Sequence, residues 1–104
     1  MLSAFQLMSL TKNQLKFLRG LCHSLNPVVR VGQKGLTGEV LNELEIALDH
    51  HELVKIKVSV DDREARQELI ENICAQSSSE KVQVIGKTVS VYRRNENEPV
   101  IELP

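Results

Sequence analysis

Residues 53–60 read LVKIKVSV. Val54, Ile56, Val58 and Val60 alternate with Lys55, Lys57 and Ser59, the period of an extended chain with one dry face and one wet face. Such a strand belongs to a layered domain in which helices cover the dry face. Upstream, residues 37–51 place Val40, Leu41, Leu44, Ala47 and Leu48 at helical spacing. Thr37 is placed as its N-cap, with Leu36 and Leu41 as a hydrophobic staple. Downstream, residues 62–76 repeat the pattern with Leu69, Ile70, Ile73 and Cys74, and Asp61 with Glu64 reads as the cap.

Further out, residues 28–31, VVRV, read as a short strand. Residues 11–25 read as a helix with a Thr11/Gln14 capping box and an apolar stripe of Leu15, Leu18, Leu21, Cys22 and Leu25. Asn26-Pro27 ends it, because a residue before proline avoids the α region. Residues 81–93 form a hairpin in which Gly86 precedes Lys87, the order of a type II′ turn. The expected fold is α/β: a two-layer α-β-α-β-α-β-β domain with a four-stranded mixed sheet. The two β-α-β units predict parallel pairing, and the hairpin makes the last strand antiparallel. Helices two and three share one face. The other face is expected to be partly open, with Arg30, Lys55 and Lys57 beside Ser59, Gln83, Ser90 and Tyr92. The position of the first helix is left undetermined. Residues 95–104 read as a weakly held tail.

Length and composition agree with one soluble domain. The chain has 104 residues, 41% hydrophobic and 26% charged. No apolar run approaches the roughly 18–20 residues of a membrane span. Cys22 and Cys74 are too few for a disulfide scaffold. Residues 1–9, MLSAFQLMS, carry no basic side chain, so no secretory leader is expected. A cytoplasmic protein follows, with both thiols as small core hydrophobes.

The net charge of −1 conceals a segregated pattern. Residues 1–38 hold Lys12, Lys16, Arg19, Arg30 and Lys34 and no acid; residues 39–52 hold Glu39, Glu43, Glu45, Asp49 and Glu52 and no Lys or Arg. Residues 81–94 hold Lys81, Lys87, Arg93 and Arg94, again with no acid. Such blocks are often just solvated faces, but a local basic field is also what a polyanion senses.

The strongest local feature is Gly32-Gln33-Lys34-Gly35, between a strand and a helix. The following helix start offers unpaired amides that favour phosphate, and Lys34 adds a cation at the tip. A GxxG loop of this form clamps the nucleic-acid backbone in KH domains, although two glycines there are more often turn chemistry than a site. Gly86-Lys87-Thr88 is not a P-loop, since Lys81 stands where its first glycine is required. Gly32, Gly35 and Gly38 are evenly spaced and do not make a dinucleotide loop. No paired-ligand spacing suggests zinc, no constellation suggests catalysis, and no cofactor is implied. His50 and His51 suit a helix C-terminus. Phe5, Phe17 and Tyr92 are too few for a base-stacking platform, so any RNA contact would rest on phosphates and shape.

The runs at residues 10–58 and 82–94 contain LxPVVxVGxxGLT, HELVKxK and VIGKxxxxYR in order. This set resembles the CRM domain (chloroplast RNA splicing and ribosome maturation), most closely its bacterial stand-alone YhbY-type members. The resemblance covers residues 10–94, leaving residues 1–9 as an extension and 95–104 as a tail. It implies a fold similar to the C-terminal domain of translation initiation factor three with a KH-like GxxG loop. It also implies RNA binding without enzymatic activity and association with precursors of the large ribosomal subunit. Carried over, the loop is Gly32, Gln33, Lys34 and Gly35. The strand and helix faces add Lys12, Lys16, Arg19, Arg30, Lys55 and Lys57 as candidate RNA contacts. Expected partners are ribosomal RNA, the precursor particle and ribosomal proteins, but no membrane, with the chain itself a monomer. The alternative is a protein–protein adaptor using the acidic block Glu39–Glu52.

Overall fold

The computed structural model describes residues 10–104. The expected extension, residues 1–9, lies outside the described residues. Seven elements follow in the expected order: α1 (Lys12–Cys22), β1 (Val29–Val31), α2 (Gly38–His51), β2 (Leu53–Val58), α3 (Arg63–Ser77), β3 (Glu80–Ile85) and β4 (Thr88–Tyr92). Both halves of the Thr11/Gln14 capping box form at the start of α1. The Thr37 hydroxyl accepts from the Val40 amide at the start of α2. Asp62 rather than Asp61 caps α3, accepting from the Ala65 amide at 2.8 Å. Gly86 has φ +57 and Lys87 does not enter the left-handed region, as a type II′ turn requires.

The sheet is four-stranded and mixed, in the order β1-β2-β4-β3. β1 and β2 pair in parallel; β4 pairs antiparallel with both β2 and β3. The second β-α-β unit therefore does not bring β2 and β3 together, because β4 inserts between them. Burial explains the choice. Val89 to Tyr92 are buried on both faces, which suits a central strand, whereas β3 is mostly exposed and takes the edge.

On one face, Leu44 and Leu48 of α2 and Ile70 and Ile73 of α3 pack on Val29, Val31, Val54, Ile56, Val58, Val89 and Val91. Each fully buried side chain of this size is worth about 1.5–3 kcal/mol. The opposite face is not as open as the strand alternation implies. Leu18 and Cys22 of α1 meet Leu53, Val82 and Tyr92 there in a second core, so α1 adds a partial third layer to the expected two. Two features produce it. Leu53 opens β2 in the register of the lysines, and the irregularity between Lys81 and Gln83 leaves Val82 outside the ladder register. Tyr92 and Ser90, expected on a wet face, are buried. Burial, with the Glu52 charge behind it, pushes the Tyr92 phenol up from its usual range.

The C-terminal segment is held firmly. Glu52 is fully buried, with φ +63 just after α2. Its carboxylate accepts from the amides of Asn95 (2.7 Å), Val100 (2.9 Å) and Ile101 (2.6 Å). Ile101 and Leu103 then pack against the second core. A buried carboxylate is tolerated here because amide donors surround it. Glu52→Ala should therefore lower the unfolding free energy by about 3 kcal/mol, since buried amides lose a charged acceptor. Denaturant melts would measure the loss, and hydrogen exchange should quicken at Asn95, Val100 and Ile101.

Candidate nucleic-acid interface

The GxxG segment leaves β1 at one end of the sheet. The Gly35 amide donates to the Gly32 carbonyl at 3.0 Å, closing a tight turn with Gln33 and Lys34 exposed at its tip. Gly35 has φ +76, a conformation that costs other residues about 1–2 kcal/mol. Thr37 then caps α2, whose first turn carries free amides and the positive dipole end. The loop rests on α3, with Leu69 Cδ1 4.0 Å from where a Gly35 side chain would begin.

Other cations gather at this end. Arg30 and Lys57 are partners in the β1–β2 register, on the face away from the first core. The Ser59 amide donates to the Val31 carbonyl at 2.8 Å, and the Val58 amide to the Lys87 carbonyl at 2.7 Å. The ends of β1 and β2, the GxxG turn and the β3–β4 turn therefore converge. Lys34, Arg30 and Lys57 make no side-chain hydrogen bond or ion pair among the described residues.

The remaining predicted contacts divide. Lys55 does not stand on an open face: its ammonium donates to the Cys22 carbonyl at 2.9 Å, closing the C-terminal end of α1. Arg19 Nε donates to the Val82 carbonyl at 3.1 Å, clamping α1 to the edge strand β3. Lys12 and Lys16 are exposed on α1 and share a helical stripe with Arg19. Arg19 ties this stripe to β3, the sheet edge opposite β1 and the loop. The ten predicted residues thus form one convergent group, a separate helix stripe and one side chain committed to packing.

Lys87 was missed, although the hairpin places it opposite the end of β2. It is paired with Asp61, and this partner holds the Asp61 carboxyl below its usual range. The acidic block is also engaged. Arg93 Nη1 meets Glu45 at 2.7 Å and its Nη2 meets Asp49 at 3.0 Å. Among the described residues, no group of three or more His, Cys, Asp or Glu side chains could hold a metal ion. No described helix is long and apolar enough to cross a membrane.

The two loop glycines should respond differently to alanine. Gly35→Ala should cost about 1–2 kcal/mol in thermal or denaturant unfolding, because φ is positive there. Gly32→Ala should be nearly neutral: its φ is not positive and a Cβ meets nothing within 4 Å.

The comparisons with known proteins bear on the same span. The CRS1/YhbY (CRM) domain matches residues 10–93. A Haemophilus influenzae protein named as an RNA-binding protein is 48% identical over 96 residues, covering 92% of this chain and 96% of its own. The probable RNA-binding protein YqeI of Bacillus subtilis is 34% identical over 95 residues, covering 91% and 99%. The solution structure of a hypothetical protein from Staphylococcus aureus superposes with a TM-score of 0.79 at 32% identity. That match covers 92% of this chain and 100% of the other. With its motifs, mixed sheet and near-complete coverage in agreement, the chain belongs to the CRS1/YhbY (CRM) domain family.

Proposed function

We propose that this chain is a non-catalytic RNA-binding protein that associates with precursors of the large ribosomal subunit and assists their assembly. Structured RNA is held by its backbone, through the Gly32–Gly35 loop and the adjoining cations. The observation that carries this reading is the convergence of Lys34, Arg30 and Lys57 at one sheet end, beside the start of α2. Charges without internal partners remain available for phosphate, whereas paired ones are already compensated. Relatives named for RNA binding over nearly the full chain point the same way.

The few aromatic residues agree with a backbone reader. Tyr92 is buried in the second core, so it offers no stacking face to a base. Recognition then depends on the shape and phosphate spacing of a folded RNA. The adaptor reading gains little. Glu45 and Asp49 are bound to Arg93 and Glu52 is buried, which leaves Glu39 and Glu43 as the acids of that block without an ion pair or burial among the described residues.

Sedimentation of a cell extract tests the proposal. The wild-type chain should travel with precursor large subunits, and Lys34→Glu should shift it toward the top of the gradient. Wild-type protein confined to the top fractions contradicts the ribosomal role. Co-migration of both forms leaves the particle association but removes the loop as its anchor.

A further inference from the structure

A second basic surface follows the edge strand β3, at the sheet edge opposite β1, and reaches the β3–β4 turn at Gly86. The edge strand β3 is flanked by two grooves. One, of about 520 Å³, lies toward α3 and is lined by Arg63, Arg66, Lys81 and Val84 among others. The other, about 510 Å³, lies toward α1 and is lined by Arg19, Lys81, Val82, Gln83 and Val84. They share Lys81 and Val84, and among the described residues no acidic side chain lines either groove. Arg63 and Lys81 are exposed and unpaired among the described residues. Arg66 donates to the backbone carbonyls of Val60 (2.8 Å) and Asp61 (3.2 Å), and Arg19 to Val82, so these two guanidiniums are fixed in place.

We propose that these grooves form a second RNA-backbone track running along β3, built from residues other than those of the loop site. The proposal rests on the RNA-binding reading and extends it to a new surface. Three observations favour a polyanion as the occupant. The first is the charge balance of the grooves. The second is the placement of Arg63 and Arg66 in the first turns of α3. At Arg63, the first residue of the helix, a cation opposes the helix dipole at a cost of about 0.3–1 kcal/mol and makes no hydrogen bond among the described residues to offset it. The third is the position of β3, which among the described residues is an edge strand with backbone groups beside the cations. Charges that only protect an edge strand from aggregation would sit on the strand itself. Here Arg19, Arg63 and Arg66 reach it from two helices. The other side of α3 sets a boundary: Glu64, Glu68 and Glu71 line the neighbouring stripe and would repel a phosphate chain. The track is therefore confined to the strand edge. Exposed Val84 and Ile85 give it apolar contact for sugars.

The test is filter binding of the full chain to deproteinised large-subunit ribosomal RNA at rising salt. The Arg63→Ala/Lys81→Ala double variant should flatten the slope of log K against log salt by roughly 1.8, two contacts at about 0.9 each. Lys34→Ala should flatten it by about one contact, and the two effects should add in the triple variant. Arg63→Lys/Lys81→Arg should restore the wild-type slope. No variant should melt below the wild type, and those with Arg63→Ala should melt slightly above it, since the arginine opposes the helix dipole. An unchanged slope in the double variant, with the Lys34 effect intact, overturns the second track and leaves the RNA reading standing. No salt-dependent binding by the wild type overturns both.

Discussion

The Arg93 guanidinium joins elements that are far apart in the chain. It binds Glu45 and Asp49 of α2 and donates to the Ser77 carbonyl at the end of α3. Its own amide donates to the Glu52 carbonyl, and the Glu52 carboxylate gathers the three amides of the C-terminal segment. This polar junction fixes both helices against the last strand and positions the segment that covers the second core. It also decides the surface charge. By compensating Glu45 and Asp49 within the fold, it takes two acids of α2 out of reach of the basic groups elsewhere.

The same sorting runs through the other cations. Lys55 closes α1, Arg19 clamps that helix to β3, and Lys87 is paired with Asp61. Among the described residues Lys34, Arg30 and Lys57 have no such internal duty, and they are the ones that converge beside the GxxG turn. A formal charge of −1 is therefore compatible with a polyanion-binding face, because the field depends on which charges are already satisfied.

Much of this was readable in the chain. Period-two spacing placed Val54, Ile56 and Val58 inward and Lys57 outward, and capping chemistry located the starts of α1 and α2. The loop was read from its two glycines between a strand and a helix, and Arg30 and Lys57 were set on one face, although their pairing was not. The rest depended on contacts between distant residues. Glu52 reads as one more acid at a helix end until the amides of Asn95, Val100 and Ile101 surround it. Lys55 has the same periodicity as Lys57, yet the arrival of Cys22 gives it a structural role. The entry of β4 between β2 and β3 reflects which strand is apolar on both faces, a comparison that pairing rules for successive strands do not make. Lys81 was read within a basic block, but Arg63 and Arg66 join it only through the tertiary fold, which brings α3 beside β3.

The most direct measurement is residue-by-residue mapping of amide NMR shifts as a structured ribosomal RNA fragment is titrated into the protein. The account predicts the largest changes at Gly32 to Gly35, Arg30 and Lys57, fading as salt is raised. Changes confined to α2 around Glu39 and Glu43, with the loop unmoved, would contradict it.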